Sequence, residues 1–107
     1  MNTQDNRTIK LSRGFIDTDG KAHRTAVVRA PLVDDEIKAD ALIILKSKSA
    51  DPLIQAESRS EKLWELAVVA MCCLQLGEIR EVTVDHLRAL SRADAQKLVD
   101  SVLEAEE

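Results

Sequence analysis

Residues 58–77 read SRSEKLWELAVVAMCCLQLG, and this stretch decides the fold. The run from Leu66 to Leu74 is apolar without interruption, which is typical of a helix that is covered on most sides. Ser58 and Glu61 stand at the spacing of a capping box, which satisfies backbone N–H groups of a first helical turn. Gly77 tolerates the left-handed conformation that often ends a helix. We therefore predict a central helix over residues 58–77 that lies in the core or contacts another subunit.

The composition limits both the fold and the class of function. A chain of 107 residues is long enough for one small domain with a single core, so we expect residues 1–107 to form one domain. Hydrophobic residues make up 45% of the chain and aromatic residues only 2%, which favours helices over a large sheet. The net charge is −4, and residues 51–107 are the acidic half. Nucleic acid is therefore an unlikely main partner, because neutralising phosphates requires clustered Lys and Arg.

The cysteines and the hydropathy pattern predict the compartment. Cys72 and Cys73 are adjacent in the apolar run, where neighbouring side chains point about 100° apart and are poorly placed to form a disulfide. Buried free thiols are typical of a reducing cytoplasm. The first residues are polar, and the longest apolar run is too short for a bilayer. We expect a cytoplasmic protein without a membrane segment.

Residues 8–31 carry the pattern of a β-hairpin. Ile9 and Leu11 alternate with polar residues, and after the turn sequence DTDG a second extended run ends before Pro31. The glycine of that turn can adopt the positive φ that such loops need. We predict a hairpin over residues 8–31, preceded by disordered residues 1–7.

Helical spacing dominates the remainder, residues 34–104. A helix is predicted from Asp34 to Lys46, with apolar residues at three- and four-residue intervals: Ile37, Ala41, Ile44 and Leu45. Either this stripe helps to enclose the central helix fully, or one side of the central helix stays available to another subunit. Residues 47–56 read as a loop, because Pro52 disfavours helix at the residue before it. A short helical turn from Thr83 and a final helix ending near Leu103 complete the chain. The predicted class is α+β, mainly α, with an N-terminal hairpin and three to four helices around the central helix.

Residues that could carry chemistry are few. His23 and His86 are far apart in the sequence, and neither belongs to a metal-binding spacing. The apolar surroundings of Cys72 and Cys73 would raise their thiol pKa values and disfavour a nucleophilic role. The acidic residues 34–36 are explained by the positive end of a helix dipole. We expect no catalytic residue, no metal and no cofactor, and thus no enzyme.

The two C-terminal helices leave one alternative open. Residues 83–104 could form a helix-turn-helix, with Arg88, Arg92 and Lys97 as its basic residues. Acidic residues dilute this charge, and no basic recognition face emerges. A small DNA-binding or antitoxin-like regulator is therefore the runner-up hypothesis.

The chain as a whole resembles the tail assembly chaperones of long-tailed bacteriophages, in particular the small family typified by Mu-like prophages. The resemblance covers roughly residues 8–104 and consists of turn and hydrophobic patterns. The residues that carry it are Ile9-Lys10-Leu11-Ser12, Asp19-Gly20-Lys21, Val28-Arg29-Ala30-Pro31-Leu32-Val33-Asp34-Asp35, Leu74-Gln75-Leu76-Gly77, Val84-Asp85-His86-Leu87 and Leu90-Ser91-Arg92-Ala93-Asp94.

This resemblance implies a non-enzymatic protein that binds the long, largely helical tape measure protein and keeps it soluble until tail tube subunits polymerise around it. The implied partners are the tape measure protein and the tail tube protein, and the chain is expected to form a homo-oligomer. Exposed apolar helix positions would bind the partner, and we select Trp64, Val68 and Met71, since large anchors dominate interface energy. The alternative for all three is a place in the core.

Overall fold

The computed structural model describes residues 6–104. Over this range the chain forms one three-stranded antiparallel sheet and five helices, which confirms the predicted α+β, mainly α class. In chain order the elements are β1 (Arg7–Ile16), β2 (Ala22–Val28), α1 (Val33–Ser47), α2 (Pro52–Glu57), α3 (Glu61–Cys72), β3 (Cys73–Leu76), α4 (Val84–Arg88) and α5 (Arg92–Leu103). Residues 1–5, predicted to be disordered, lie outside the described residues, whereas Arg7 already belongs to β1.

The predicted hairpin is present. Strands β1 and β2 pair in antiparallel register from Arg7 opposite Val28 to Ile16 opposite Ala22. The Asp17 carboxylate closes the turn by accepting the backbone N–H groups of Asp19 and Lys21, at 2.8 and 2.9 Å. A side chain that replaces backbone hydrogen bonds in this way explains why the DTDG sequence makes a defined turn.

The central helix is shorter than predicted at both ends. It begins after Ser60, whose hydroxyl accepts the backbone N–H of Leu63, so the predicted cap at Ser58 is wrong. It ends at Cys72, and β3 then pairs with β2. The predicted continuation to Gly77 is wrong because the edge of β2 that β1 leaves free offers backbone partners to this segment.

Gly77 ends a strand instead of a helix. Its φ is +59°, and its backbone N–H donates to the carbonyl oxygen of Thr25 at 2.7 Å. A Cβ atom at this position would lie 2.2 Å from Nδ1 of His23, so only glycine fits against that ring.

The predicted loop over residues 47–56 contains helix α2. Asp51 caps this helix by accepting the backbone N–H of Leu53 at 2.9 Å. Pro52 occupies the first turn, where its missing N–H would have no helical partner in any case. The proline therefore starts a helix here, although it keeps Asp51 itself extended.

Helix α3 lies at the centre of the core and contacts α1, α4, α5 and β3. Four of its side chains have no exposed surface: Ala67, Val68, Val69 and Cys72. They pack with buried residues of β2 and α5, including Val28, Leu98 and Val102. Among the described residues, no helix is long and apolar enough to cross a membrane.

Candidate partner-binding surface

Helix α1 turns Asp35 and Ala39 toward the core, and Leu42 packs there beside them. Asp35 and Ala39 are its buried residues, while Ile37, Ile44 and Leu45 are 58%, 55% and 69% exposed. Of the two arrangements that the sequence left open, enclosure of the central helix by this stripe is therefore wrong, because the side chains of the stripe lie on the surface.

An ion pair explains this orientation. The Arg29 guanidinium donates to both carboxylate oxygens of Asp35, at 2.7 and 2.9 Å, and also to the carbonyl oxygen of Met71 at 3.1 Å. The backbone N–H of Arg29 donates to the carbonyl oxygen of Cys72 at 3.0 Å. Arg29 thus joins the start of α1 to the end of α3, where carbonyl groups lack helical partners and a cation is favoured.

Asp35 has a structural role in this cluster. One of its oxygens accepts the backbone N–H of Leu32 at 2.7 Å, just before α1 begins. The hydrogen bonds from Arg29 lower the pKa of Asp35, so the carboxylate is charged at neutral pH. Burial raises the pKa of the neighbouring Cys72 thiol to about 12, which keeps it protonated and unreactive. With Asp35 held inward, the opposite side of α1 must face solvent.

Most of the exposed large hydrophobic side chains lie on or near α1. Among the described residues, six of the eight exposed large hydrophobic side chains lie between Leu32 and Leu53. At about 100° per residue, Val33, Ile37, Ala41 and Ile44 fall within an arc of about 80° on α1. We call the following set the outer apolar surface: Leu32, Val33, Ile37, Ala41, Ile44, Leu45 and, on α2, Leu53.

A surface of this kind is a candidate for contact with another protein. Single exposed hydrophobic residues are common and need no explanation, whereas a stripe along a whole helix does. Helix α1 has 15 residues and is about 22 Å long, which is enough for three to four turns of a partner helix.

The three predicted partner-binding residues lie elsewhere. Val68 has no exposed surface, so its selection is corrected: it fills the core and cannot contact a partner. Trp64 is half-buried, and its indole N–H donates to the Asp40 carboxylate at 2.7 Å. Met71 is half-buried and lines a groove of about 340 Å³ between α1, α3 and the segment before α4, together with Leu42 and Val82.

The spacing of apolar residues in α1 indicates the outer apolar surface already in the sequence. The spacing of the apolar residues of α1 is visible in the sequence, but amphipathic helices usually bury that side, which favours a place in the core. Only the position of Arg29 relative to the end of α3 reverses the assignment, and no local pattern reveals that position.

The histidines stabilise the fold. Nδ1 of His23 accepts the backbone N–H of Glu78 at 3.2 Å, and its Nε2 lies 2.9 Å from the Asp17 carboxylate. His86 accepts the backbone N–H of Thr83 and packs edge-on against Phe15. Within residues 6–104, no group of three or more His, Cys, Asp or Glu side chains is placed to hold a metal ion.

Asp94 holds α5 on the hairpin. Its carboxylate is 1% exposed and accepts three backbone N–H groups of β1, from Ser12 at 2.8 Å and from Arg13 and Gly14 at 2.9 Å. These donors lie where the pairing of β1 with β2 is interrupted, so the carboxylate satisfies groups that the sheet leaves free.

Comparisons of the chain with protein-family models, with curated proteins and with solved structures returned no match.

Proposed function

We propose that this protein is a non-enzymatic tail assembly chaperone of a bacteriophage or prophage, which binds the tape measure protein in the host cytoplasm and keeps it soluble during assembly of the tail tube. The outer apolar surface is the observation that supports this proposal. It supports the proposal because it exposes apolar side chains that a helical partner could cover, whereas Val68 is buried and cannot contact a partner.

Binding would pack a partner helix side by side with α1, along the apolar sides of both. A segment of the tape measure protein would lay the apolar side of an amphipathic helix along α1, with Ile37, Ile44 and Leu45 as anchors. Removing the remaining exposed area of each anchor from water stabilises the complex by roughly 1–2 kcal/mol. The same contact removes apolar surface of the tape measure protein from water, which is what prevents its aggregation.

Co-expression with the tape measure protein tests the proposal. The wild-type chain should raise the soluble yield of the tape measure protein and co-purify with it. The variant Ile37→Asp/Ile44→Asp, which places two carboxylates in the stripe, should lose both effects. Leu74→Asp is the matched control, because Leu74 is an exposed hydrophobic residue of β3 outside this surface.

Two results would refute this function. One is an unchanged soluble yield with the wild-type chain. The other is equal solubilisation by wild-type and Ile37→Asp/Ile44→Asp protein, provided that circular dichroism gives both the same helical content.

The runner-up, a DNA-binding regulator, has less support. Arg88 forms a bidentate ion pair with Glu57, at 3.0 and 3.2 Å, and the Lys97 ammonium donates to the carbonyl oxygen of Lys10 at 2.8 Å. Two of the three basic residues of this segment thus already have partners. Salt-sensitive binding to duplex DNA at micromolar protein concentration would favour the regulator instead.

A further inference from the structure

Residues 48–60, which join α1 to α3, have few contacts with the core. None of their side chains is buried. Helix α2 packs against α1, and its contacts with the other elements are few. Its backbone hydrogen bonds stay within residues 51–60, as from the Ser60 N–H to the Glu57 carbonyl oxygen at 3.0 Å. Segments of this kind open locally at a lower free energy than the unfolding of the whole chain.

The two elements that flank this segment are held firmly. Asp35, in the first turn of α1, accepts two hydrogen bonds from Arg29. Helix α3 begins after the cap residue Ser60 and contributes several fully buried side chains to the core. The limits of a local opening are therefore the end of α1 and the start of α3.

An ion pair joins α2 to α4 where apolar packing is incomplete. The Arg88 guanidinium donates to both carboxylate oxygens of Glu57, at 3.0 and 3.2 Å. The two side chains line a cavity of about 170 Å³ together with Leu63 and Leu66, which are only 5% and 7% exposed. Side chains that face a cavity lack packing partners on that side, so the ion pair contributes a large share of what holds α2 in place here.

The ion pair lies at the surface and is surrounded by other charges. Hydrogen bonds from Arg88 lower the pKa of Glu57, and the charge of Lys46 on α1 lowers it further, so the carboxylate is charged at neutral pH. Asp85 adds an attractive charge near Arg88. The Arg88 and Glu57 side chains are 40% and 28% exposed, so dissolved salt can screen their attraction.

We propose that residues 48–60 open as a unit while the rest of the chain stays folded, that the Glu57–Arg88 ion pair sets how often they open, and that each opening uncovers Leu63 and Leu66 of the central helix. In the closed fold these two side chains are enclosed. The opening is a property of the free chain and does not rest on the proposed function.

Hydrogen exchange of the wild-type chain, followed for single amides by NMR, tests the opening. The amides of Gln55, Ser58 and Arg59 donate to carbonyl groups within residues 51–56. They should share one opening constant, roughly a hundredfold or more larger than that of Val68 in α3. Opening constants equal to that of Val68 would overturn the proposal, and so would three unrelated values for the three amides.

Charge exchange tests the role of the ion pair. Arg88→Glu should raise the shared opening constant roughly fivefold, because it replaces an attraction by a repulsion. The double variant Glu57→Arg/Arg88→Glu should open less often than Arg88→Glu, although Lys46 then faces a like charge. Lys38→Glu is the matched control, because it removes an exposed ion pair with Asp34 on α1 and should leave the opening constant of α2 unchanged.

Salt gives a second test of the same contact. Raising the salt concentration to about 1 M should increase the opening constant of the wild type, because the attraction between Glu57 and Arg88 is screened. Arg88→Gln, which has no charge at this position, should show a smaller increase. An equal salt effect in the two proteins would contradict the role of the ion pair.

Thiol labelling tests which side chains the opening uncovers. The thiol of Leu63→Cys should react with a disulfide reagent in the folded protein, and adding Arg88→Glu should accelerate this reaction by the same factor as the hydrogen exchange of α2. Leu98→Cys is the matched control, because Leu98 is buried on α5 and does not line the cavity. It should react only upon unfolding of the whole chain.

Three results would overturn the proposal at different steps. An opening constant that Arg88→Glu leaves unchanged, or a double variant that opens as often as Arg88→Glu, would show that the ion pair does not control the opening. Equal labelling rates of Leu63→Cys and Leu98→Cys would show that the opening does not uncover the central helix. All of these measurements use the free chain, so their failure is independent of the co-expression result for the chaperone function.

Discussion

Replacing Asp94 by Asn should destabilise the fold by about 3 kcal/mol, with little change in shape. The carboxylate distributes three backbone N–H groups over its two oxygens. An amide keeps one oxygen, so it can accept the N–H groups of Arg13 and Gly14 but must turn its own NH₂ toward that of Ser12. One buried donor is then unsatisfied, at roughly 1–3 kcal/mol, and the other two bonds lose their charge assistance, at roughly 0.5–1 kcal/mol each.

This loss is a large fraction of the stability of a small domain, which is typically about 5–15 kcal/mol. Urea unfolding at a fixed protein concentration, followed by the fluorescence of Trp64, the only tryptophan of the chain, measures it directly. In thermal unfolding the same loss corresponds to a decrease in Tm of roughly 10–20 °C. Asp100→Asn is the control, because Asp100 is exposed on the same helix, and it should change stability by less than about 0.5 kcal/mol.

The effect of Asp94→Asn should also depend on pH. Burial by itself raises the pKa of Asp94, but the backbone N–H groups of Gly14, Ser12 and Arg13 outweigh it and lower the pKa below its ordinary value. A carboxyl group with a lowered folded-state pKa stabilises the fold above its unfolded pKa of about 3.9. This contribution is lost as the pH falls through the folded-state value.

The difference in the free energy of unfolding between wild type and Asp94→Asn should therefore have its full size at pH 6–7 and should decrease below about pH 4. Two results would refute this reasoning. One is a variant within about 1 kcal/mol of the wild type at neutral pH. The other is a difference that stays constant down to the lowest pH at which both proteins fold.

Three further predictions concern other contacts. Arg29→Ala should lower the free energy of unfolding measured in urea by about 3–5 kcal/mol, because it leaves the Asp35 carboxylate without its partner. Arg29→Lys should recover only part of this stability, because an ammonium cannot donate to both oxygens in the same way. A lysine variant as stable as the wild type would contradict the bidentate role. Gly77→Ala should lower the free energy of unfolding by more than about 2 kcal/mol, because the backbone is left-handed there and the new Cβ would overlap the His23 ring. Gly20→Ala should lower it by only about 1 kcal/mol, because no atom lies near the new Cβ. Equal melting temperatures of the two variants would contradict the close contact at Gly77. The Cys72 thiol, with its pKa raised to about 12, should react with a disulfide reagent at pH 8 only upon unfolding, and rapid labelling without urea would show that it is accessible.

Much of the fold follows from local patterns. The hairpin could be predicted because the DTDG turn and the alternating strands agree over a few residues, and the Asp17 carboxylate closes that turn within the same segment. Helix α5 could be predicted for the same reason, because Ser91 caps it and its apolar stripe does face the core. Such features depend on residues that are close together in the sequence, so the sequence alone is enough to recognise them.

The end of α3 and the start of β3 could not be predicted in this way. Residues 73–76 are as apolar as the helix before them, and an apolar run alone does not distinguish helix from buried strand. The free edge of β2, which is more than forty residues away in the sequence, makes the extended conformation favourable.

For the candidate site too, one part follows from the local sequence pattern and another part from tertiary contacts. The apolar stripe of α1 can be predicted from the sequence, because the spacing of Ile37, Ile44 and Leu45 is a local property of the chain. That this stripe faces solvent follows from the packing of distant segments, because Arg29 must satisfy both the buried Asp35 carboxylate and the carbonyl groups at the end of α3. The ion pair outweighs the hydrophobic pattern there, since a buried unpaired charge costs more than leaving three aliphatic side chains exposed.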